Sequence, residues 1–238
     1  MKSDYIRLNK LLAEQLGISR READAYIMTG RVQLNGVVAD LGAPVARGID
    51  ALTVDNKPIK TTPIKQTYLL LHKPAGYVCS RRQQGETPTI YSLLPLEFQP
   101  LKPVGRLDKD SSGLILLTND GDFAHEMTHP SFHKQKVYYA TLNKPLAPLH
   151  QQMISDHGIQ LEDGNSRLSV SSLADTPEQA TYPKNTYRVV MSEGRNRQIR
   201  RTFTALGYHV DRLHRTQFGS FSLGSLAEGE FSSAAGLL

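Results

Sequence analysis

Between Pro103 and Gly121 the chain reads Pro-Val-Gly-Arg-Leu-Asp-Lys-Asp-Ser-Ser-Gly-Leu-Ile-Leu-Leu-Thr-Asn-Asp-Gly. No other stretch restricts the possible folds as much. The apolar run Leu114 to Leu117, bounded by Gly113 and by Thr-Asn-Asp-Gly, reads as a buried strand. Immediately before it, Asp108 sits beside Arg106 and Leu107 on a loop flanked by glycines. A fold that holds this strand in its core therefore presents a carboxylate and a guanidinium at its end. Asp108 becomes the first candidate for chemistry.

At 238 residues the chain holds one large core, or a medium core with a small appended domain. A 39% hydrophobic fraction suits a soluble globular protein, and no apolar run approaches the roughly 20 residues of a membrane span. The opening Met-Lys-Ser-Asp-Tyr-Ile-Arg-Leu-Asn-Lys has no signal-like apolar core. Cys79 is the only cysteine, which excludes an intramolecular disulfide and a thiolate metal cluster. A cytoplasmic location is expected. The net charge of +5 makes polyanions plausible partners, and its distribution says more than its sum.

Periodicity divides the chain in two. Leu8, Leu11, Leu12 and Leu16 share one face of a helix running from Ile6 to about Leu16, which Gly17 ends. Ser19 and Glu22 form a capping box that opens a second helix through about Thr29, burying Ala23 and Ile27 before Gly30 stops it. Arg31 to Leu34 and Val37-Val38 flank Asn35-Gly36, a strong hairpin signal. This first domain is placed at residues 1–60. Lys57 to Gln66, with Pro58 and Pro63, reads as a linker. A second domain, residues 66–238, begins with an apolar strand from Tyr68 to Leu71. Further strands are expected at Leu114 to Thr118, Lys136 to Leu142, Tyr187 to Met191 and Tyr208 to Leu213, with helices near Phe123 to Thr128 and Asn196 to Leu206. The elements alternate without a βαβ period, so the class is α+β with a mixed, largely antiparallel sheet. Ser232 to Leu238 reads as a loose terminus.

Two resemblances join these observations. Arg-Leu-Asn-Lys, then Gly-Ile-Ser-Arg-Arg-Glu-Ala-Asp, then Gly-Arg-Val-Gln-Leu-Asn-Gly resembles the S4 RNA-binding domain along its whole length. The resemblance implies that Arg7, Lys10, Arg20, Arg21 and Arg31 grip phosphates of a folded RNA, which positions the protein without reading sequence. The block around Asp108 resembles the catalytic motif of the RsuA-type pseudouridine synthases. Lys136-Val137-Tyr138 is similar to that family's second motif, and Glu193-Gly194-Arg195-Asn196-Arg197-Gln198-Ile199-Arg200-Arg201 to its third. Leu213-His214-Arg215 resembles, more weakly, the short basic strand that follows. The closing Ser-Ser-Ala-Ala departs from the polar, acidic helix usual in the family.

The resemblance implies an isomerase that converts a uridine of ribosomal RNA to pseudouridine. The N1–C1′ bond breaks, the uracil turns, C5 joins C1′ and the C5 proton leaves. No electrons are exchanged, so neither cofactor nor metal is expected. Asp108 either attacks C1′ or removes the C2′ proton. It must be ionised for both, and a buried carboxylate needs a nearby cation to stay so. The resemblance gives that pairing to Arg200. It gives Tyr138 to stacking on the base near C5, and Arg106 to the space vacated when the base flips out. Lys136, Arg195, Asn196, Arg197 and Gln198 are expected to contact the substrate.

So many arginines at a helix start oppose the helix dipole, and an anionic partner, carboxylate or phosphate, would relieve the conflict. The run Arg195 to Gln198 with Arg200-Arg201 looks more like the large-subunit members, which favours 23S over 16S rRNA, with tRNA a minor third. A monomer acting on rRNA or on ribosomal subunit precursors is expected. Asp108, Asp110, Asp120 and Asp122 could suggest a metal nuclease, but the last three sit in turn-like settings where aspartate is ordinary. His72 and Cys79 read as structural. The other class compatible with these features is a non-catalytic RNA-binding or ribosome-assembly protein.

Overall fold

The computed structural model describes residues 5–82, 85–173, 176 and 180–234. It forms two compact units, Met1–Gln66 and Thr67–Leu238.

In the first unit, helices Leu8–Leu16 and Arg20–Met28 lie in one core with an antiparallel sheet. That sheet runs Val37–Val38, Val32–Leu34, Leu52–Val54, Lys57–Ile59. Leu8, Leu11, Leu12, Ala23, Ile27 and Val32 are buried together. Gly17 closes the first helix in the left-handed region (φ 69°), and the Ser19 hydroxyl accepts from the Glu22 N–H at 3.1 Å to open the second. Two expectations are corrected. Ile6 lies in a strand, Tyr5–Arg7, because it pairs with Pro44–Ala46, a partner distant in sequence. The segment read as a linker begins as the edge strand Lys57–Ile59. Asp55 and Asn56 (φ 50° and 62°) make the tight hairpin turn before it, and an edge strand tolerates Pro58. Thr61 is buried, its hydroxyl accepting from the Gly48 N–H, and Thr62 O accepts from Gln15.

The second unit is built on a nine-stranded sheet among the described residues. Its order is Ser169–Ser172, Thr186–Met191, Lys136–Leu142, Val210–Phe218, Ser111–Thr118, Tyr68–Lys73 and Phe231–Ser233. Lys102–Val104 pairs with Ser111–Thr118, and Phe221–Ser222 with Val210–Phe218. Every pairing is antiparallel except that of Val210–Phe218 with Ser111–Thr118. Alternate residues of the central strand enter two cores: Ile115 and Leu117 join one, Leu114 and Leu116 the other. This explains a continuous apolar run in a largely antiparallel sheet. The class is α+β.

Three element ends differ from the reading of the sequence. The third-motif helix spans Gln198–Ala205, because Arg197 adopts a left-handed conformation (φ 47°) at its start. Its end is a Schellman turn: Gly207 N–H donates to Thr204 O and Tyr208 N–H to Phe203 O. Tyr208 is thus occupied by the helix, and the following strand runs Val210–Phe218. Finally, Phe231–Ser233 is a strand antiparallel to Tyr68–Lys73, and Ala234 is buried with its N–H on Tyr68 O. The loose terminus read from Ser232 onward is therefore ordered through Ala234, and 235–238 lie outside the described residues.

Candidate active site

Asp108 lies on the connection between the antiparallel strands Lys102–Val104 and Ser111–Thr118. The loop is pinned from several sides. Gly105 takes a positive φ of 72° to turn the chain. Ser111 N–H donates to Asp108 O at 3.1 Å, and Gly76 N–H to Lys109 O at 2.7 Å. The Cys79 thiol lies 3.4 Å from Leu107 O, so the cysteine is structural here. Lys73 is fully buried, its ammonium donating to Ser111 O at 2.5 Å and to Pro74 O at 2.9 Å. Burial pulls the Lys73 pKa down to about 8, against the opposing pull of Cys79, Asp110 and Asp108. The Asp108 side chain remains 26% exposed, open to a ligand.

Tyr138 and Arg215 reach the same place from neighbouring strands. Tyr138 is paired with Arg215, and Arg215 with Gly113. A Cβ on Gly113 would stand 2.2 Å from Arg215 O, so only glycine permits this approach. Lys136, two residues before Tyr138, is also buried and donates to Glu193 O at 3.0 Å. Burial, aided by the charge of Arg215, lowers its pKa.

The arginine run folds against carboxylates. Arg197 donates to both oxygens of Asp110 at 3.1 and 3.0 Å and lies 3.7 Å from Asp108. Arg200, 8% exposed, holds Val210 O and Asp110 O and lies 3.3 Å from the Asp110 carboxylate. Thus the carboxylate paired with Arg200 is Asp110, and the arginine beside Asp108 is Arg197. This corrects the Arg200–Asp108 pairing. Both arginines meet Asp110, and of the two the left-handed Arg197 is the one that also lies near Asp108. Burial alone would raise the Asp110 pKa, but hydrogen bonds from Arg197 and the charges of Arg200 and Arg197 hold it low.

Arg195 is bound to Asp163, Gly164 O, Asn165 O and Glu193, and Arg201 to Asp163. Gln198 accepts from Arg195 N–H and donates to Ser166 Oγ and Glu193. The polar atoms of Arg195 and Gln198 are therefore engaged within the protein, whereas Asn196, Arg197 and Arg106 are exposed.

Several of these residues surround one cavity of about 330 Å³, at the small end of ligand pockets (about 300–1,000 Å³). Asp108, Arg106, Lys136, Tyr138, Arg195, Asn196, Arg197 and Gln198 line it, with an apolar floor of Leu107, Met191, Ile199, Leu213 and Phe218. Arg200 is not among the lining residues; it supports Asp110 from behind. Ser111, in the Asp108 block, and Arg215, in the weakly matching Leu213-His214-Arg215 strand, also line the cavity, although the sequence assigns neither a role. The available signal was the strand Val210–Phe218 itself, whose Asp, Arg, His, Arg, Thr and Gln are unusual for a strand in the middle of a sheet. Among the described residues no three His, Cys, Asp or Glu side chains form a group able to hold a metal ion.

With this geometry in place, comparison with known proteins is informative. Residues 67–205 match the RNA pseudouridylate synthase family. The chain belongs to that family. Residues 6–48 match the S4 domain. The chain is 37% identical over 231 residues to ribosomal small subunit pseudouridine synthase A of Pasteurella multocida, covering 96% of this chain and 95% of the relative. It is 34% identical over 227 residues to ribosomal large subunit pseudouridine synthase B of Bacillus subtilis, covering 94% and 90%. A solved structure described as a pseudouridylate synthase aligns with a TM-score of 0.66 at 31% identity, covering 96% of this chain and 95% of that one. The protein is a pseudouridine synthase of the RsuA and RluB type.

The S4-matching unit places its cations as follows. Arg7, Arg20 and Arg21 are exposed, and Lys10 is half-buried on the first helix. Arg20 reaches Asn9 at 3.4 Å. Arg31 pairs with Asp55 at 2.5 Å and lies over the Tyr26 ring at 3.8 Å. Among the described residues no helix is long and apolar enough to cross a membrane.

Proposed function

We propose that the protein isomerises one uridine of ribosomal RNA to pseudouridine, without cofactor or metal. One observation carries this reading: Asp108 and Tyr138 line a single nucleotide-sized cavity whose rim holds the exposed cations Arg106 and Arg197. The target base flips into the cavity, Asp108 attacks C1′ or removes the C2′ proton, and Tyr138 stacks on the uracil near C5. Arg106 fills the space left in the RNA. Arg197, held on Asp110, is the cation nearest Asp108 at 3.7 Å, while Arg200 orders the loop through Asp110. Residues 1–60 form the S4 RNA-binding domain and 66–238 the catalytic domain. Arg7, Lys10, Arg20 and Arg21 supply phosphate contacts, with Arg31 available only on release from Asp55.

The protein acts as a cytoplasmic monomer on rRNA or a ribosomal subunit precursor. The arginine run favours 23S, and the likeness to small subunit synthase A of Pasteurella multocida favours 16S. The test is tritium release from 16S and 23S transcripts labelled at uracil C5, followed by pseudouridine mapping in a strain lacking the gene. Release from one transcript, with one missing site in that rRNA, is the expected result. No release from either transcript would leave a binding protein.

A further inference from the structure

Two residues of the cavity wall each carry a buried polar atom with no hydrogen-bond partner inside the protein. Arg215 is 1% exposed; its Nε donates to Leu114 O at 2.7 Å and its Nη1 approaches the Tyr138 hydroxyl at 3.4 Å, yet Nη2 makes no hydrogen bond. Ser111, also 1% exposed, has a hydroxyl with no partner. Buried donors are nearly always satisfied in native proteins, so two orphans on one cavity wall point to a ligand that completes them. The local charge agrees. Lys136 and Arg215 both lie against the Phe218 ring, at 5.2 and 5.0 Å, and among the described residues neither is within ion-pair distance of a carboxylate. This part of the cavity therefore favours a negatively charged occupant, flat enough to lie beside Tyr138.

The isomerisation proposed above creates such a species. When the N1–C1′ bond breaks, both electrons leave with N1, and the negative charge spreads over the O2 and O4 carbonyl oxygens. This holds whether Asp108 attacks C1′ or the C2′ proton is removed first. C5 then bonds to C1′ as the Asp108–C1′ bond breaks, or as C2′ takes back the proton that Asp108 removed; the C5 hydrogen departs as a proton and N1 gains one, so no other reactant is required. On that reading of the function, we propose that Arg215 Nη2 and Ser111 Oγ bind the uracil carbonyl oxygens and stabilise the charge as the base detaches, which makes both of them catalytic residues. Donors fixed in a desolvated wall before the charge appears act strongly on the transition state. An arginine, which only donates, also suits two carbonyl oxygens and opposes the exocyclic amine of cytosine.

The test compares a poor with a good leaving group. Single-turnover loss of the target nucleoside is followed, by digestion and chromatography, in 16S and 23S transcripts made with uridine or with 5-fluorouridine, whose base leaves more readily as an anion. Arg215→Lys should slow the uridine reaction about 100-fold, the size typical of losing one such donor, and the 5-fluorouridine reaction less than about 10-fold. A ratio between two substrates is independent of how much of the variant is folded. Ser111→Ala breaks no hydrogen bond made by the side chain within the protein. It should melt with the parent, slow the uridine reaction about tenfold, and show a smaller defect on 5-fluorouridine, so it carries the test should Arg215→Lys not fold. Equal defects on both bases, or full activity in Ser111→Ala, would remove the respective residue from the chemistry. A parent enzyme inactive on both transcripts would instead overturn the isomerase reading, and this inference with it.

Discussion

At the scale of single residues, the proposed chemistry rests on Asp108, a carboxylate in a partly closed cavity. Asp108→Asn preserves shape but supplies neither nucleophile nor base, so activity should vanish while RNA affinity stays within a few-fold. A variant retaining a tenth of parental turnover would remove Asp108 from the mechanism. The two neighbouring arginines should separate cleanly. Arg200→Ala loses bonds to Val210 O and Asp110 and should lower stability by about 1.5–3 kcal/mol, the range for hydrogen bonds to a charged group. Arg197→Ala, at an exposed position near Asp108, should leave the melting temperature within a few degrees and reduce turnover. If thermal unfolding and rates show the reverse, the assignment of Asp108 to Arg197 fails. Tyr138→Phe should bind RNA normally and turn over slowly; unchanged turnover would leave Tyr138 as a stacking surface only.

His214 adds a pH dependence. Burial, with the charges of His72 and Arg212, depresses its pKa to about 4 from an ordinary value near 6.5. The unfolded chain therefore takes up a proton that the folded chain refuses. Stability from this group is complete above about pH 6.5 and is lost as the pH falls toward 4, by at most about 3 kcal/mol. Urea unfolding from pH 7 to pH 4 should show that decline, flattened in His214→Asn. A decline of equal slope in the variant would assign it to other groups.

At the scale of elements, the parallel contact between Val210–Phe218 and Ser111–Thr118 decides whether the cavity exists. Gly113→Ala combines a positive φ of 109° with a methyl group driven into the Arg215 backbone. Together, left-handed strain and overpacking should cost about 3 kcal/mol or more. A crystal structure or melting curve indistinguishable from the parent would contradict the close approach. The same contact explains what could be read in the sequence. The Asp108 loop, the Leu114–Leu117 strand and the Tyr138 strand carry local signals, namely glycine spacing, an apolar run and a Lys-x-Tyr opening. Ser111 lies in the Asp108 block and Arg215 in an unusually polar strand, but neither signal reveals that they meet, because that comes from a pairing between residues a hundred positions apart. That Arg200 meets Asp110, not Asp108, is hidden in the sequence for a related reason. Spacing along a helix does not reveal that Arg197 leaves the helical conformation and turns to the loop. Pairing at a distance also hid the strands Tyr5–Arg7 and Phe231–Ser233.

At the scale of the whole molecule, each unit has a hydrophobic core of its own. A protein consisting of residues 67–238 should fold and unfold cooperatively. It should bind RNA more weakly, with a flatter dependence of log affinity on log salt, since each lost phosphate contact removes a little under one from the slope. Aggregation of the truncated chain, or an unchanged slope, would refute independent folding or S4 phosphate binding respectively.

The wall that faces Asp108 is made by Val210–Phe218, about a hundred residues further along the chain. Such distant pairings form late, after the entropy of closing a long loop has been met. A chain that ends before Val210 carries the aspartate, the tyrosine and the arginine run, yet its cavity lacks the wall that Leu213, Arg215 and Phe218 supply.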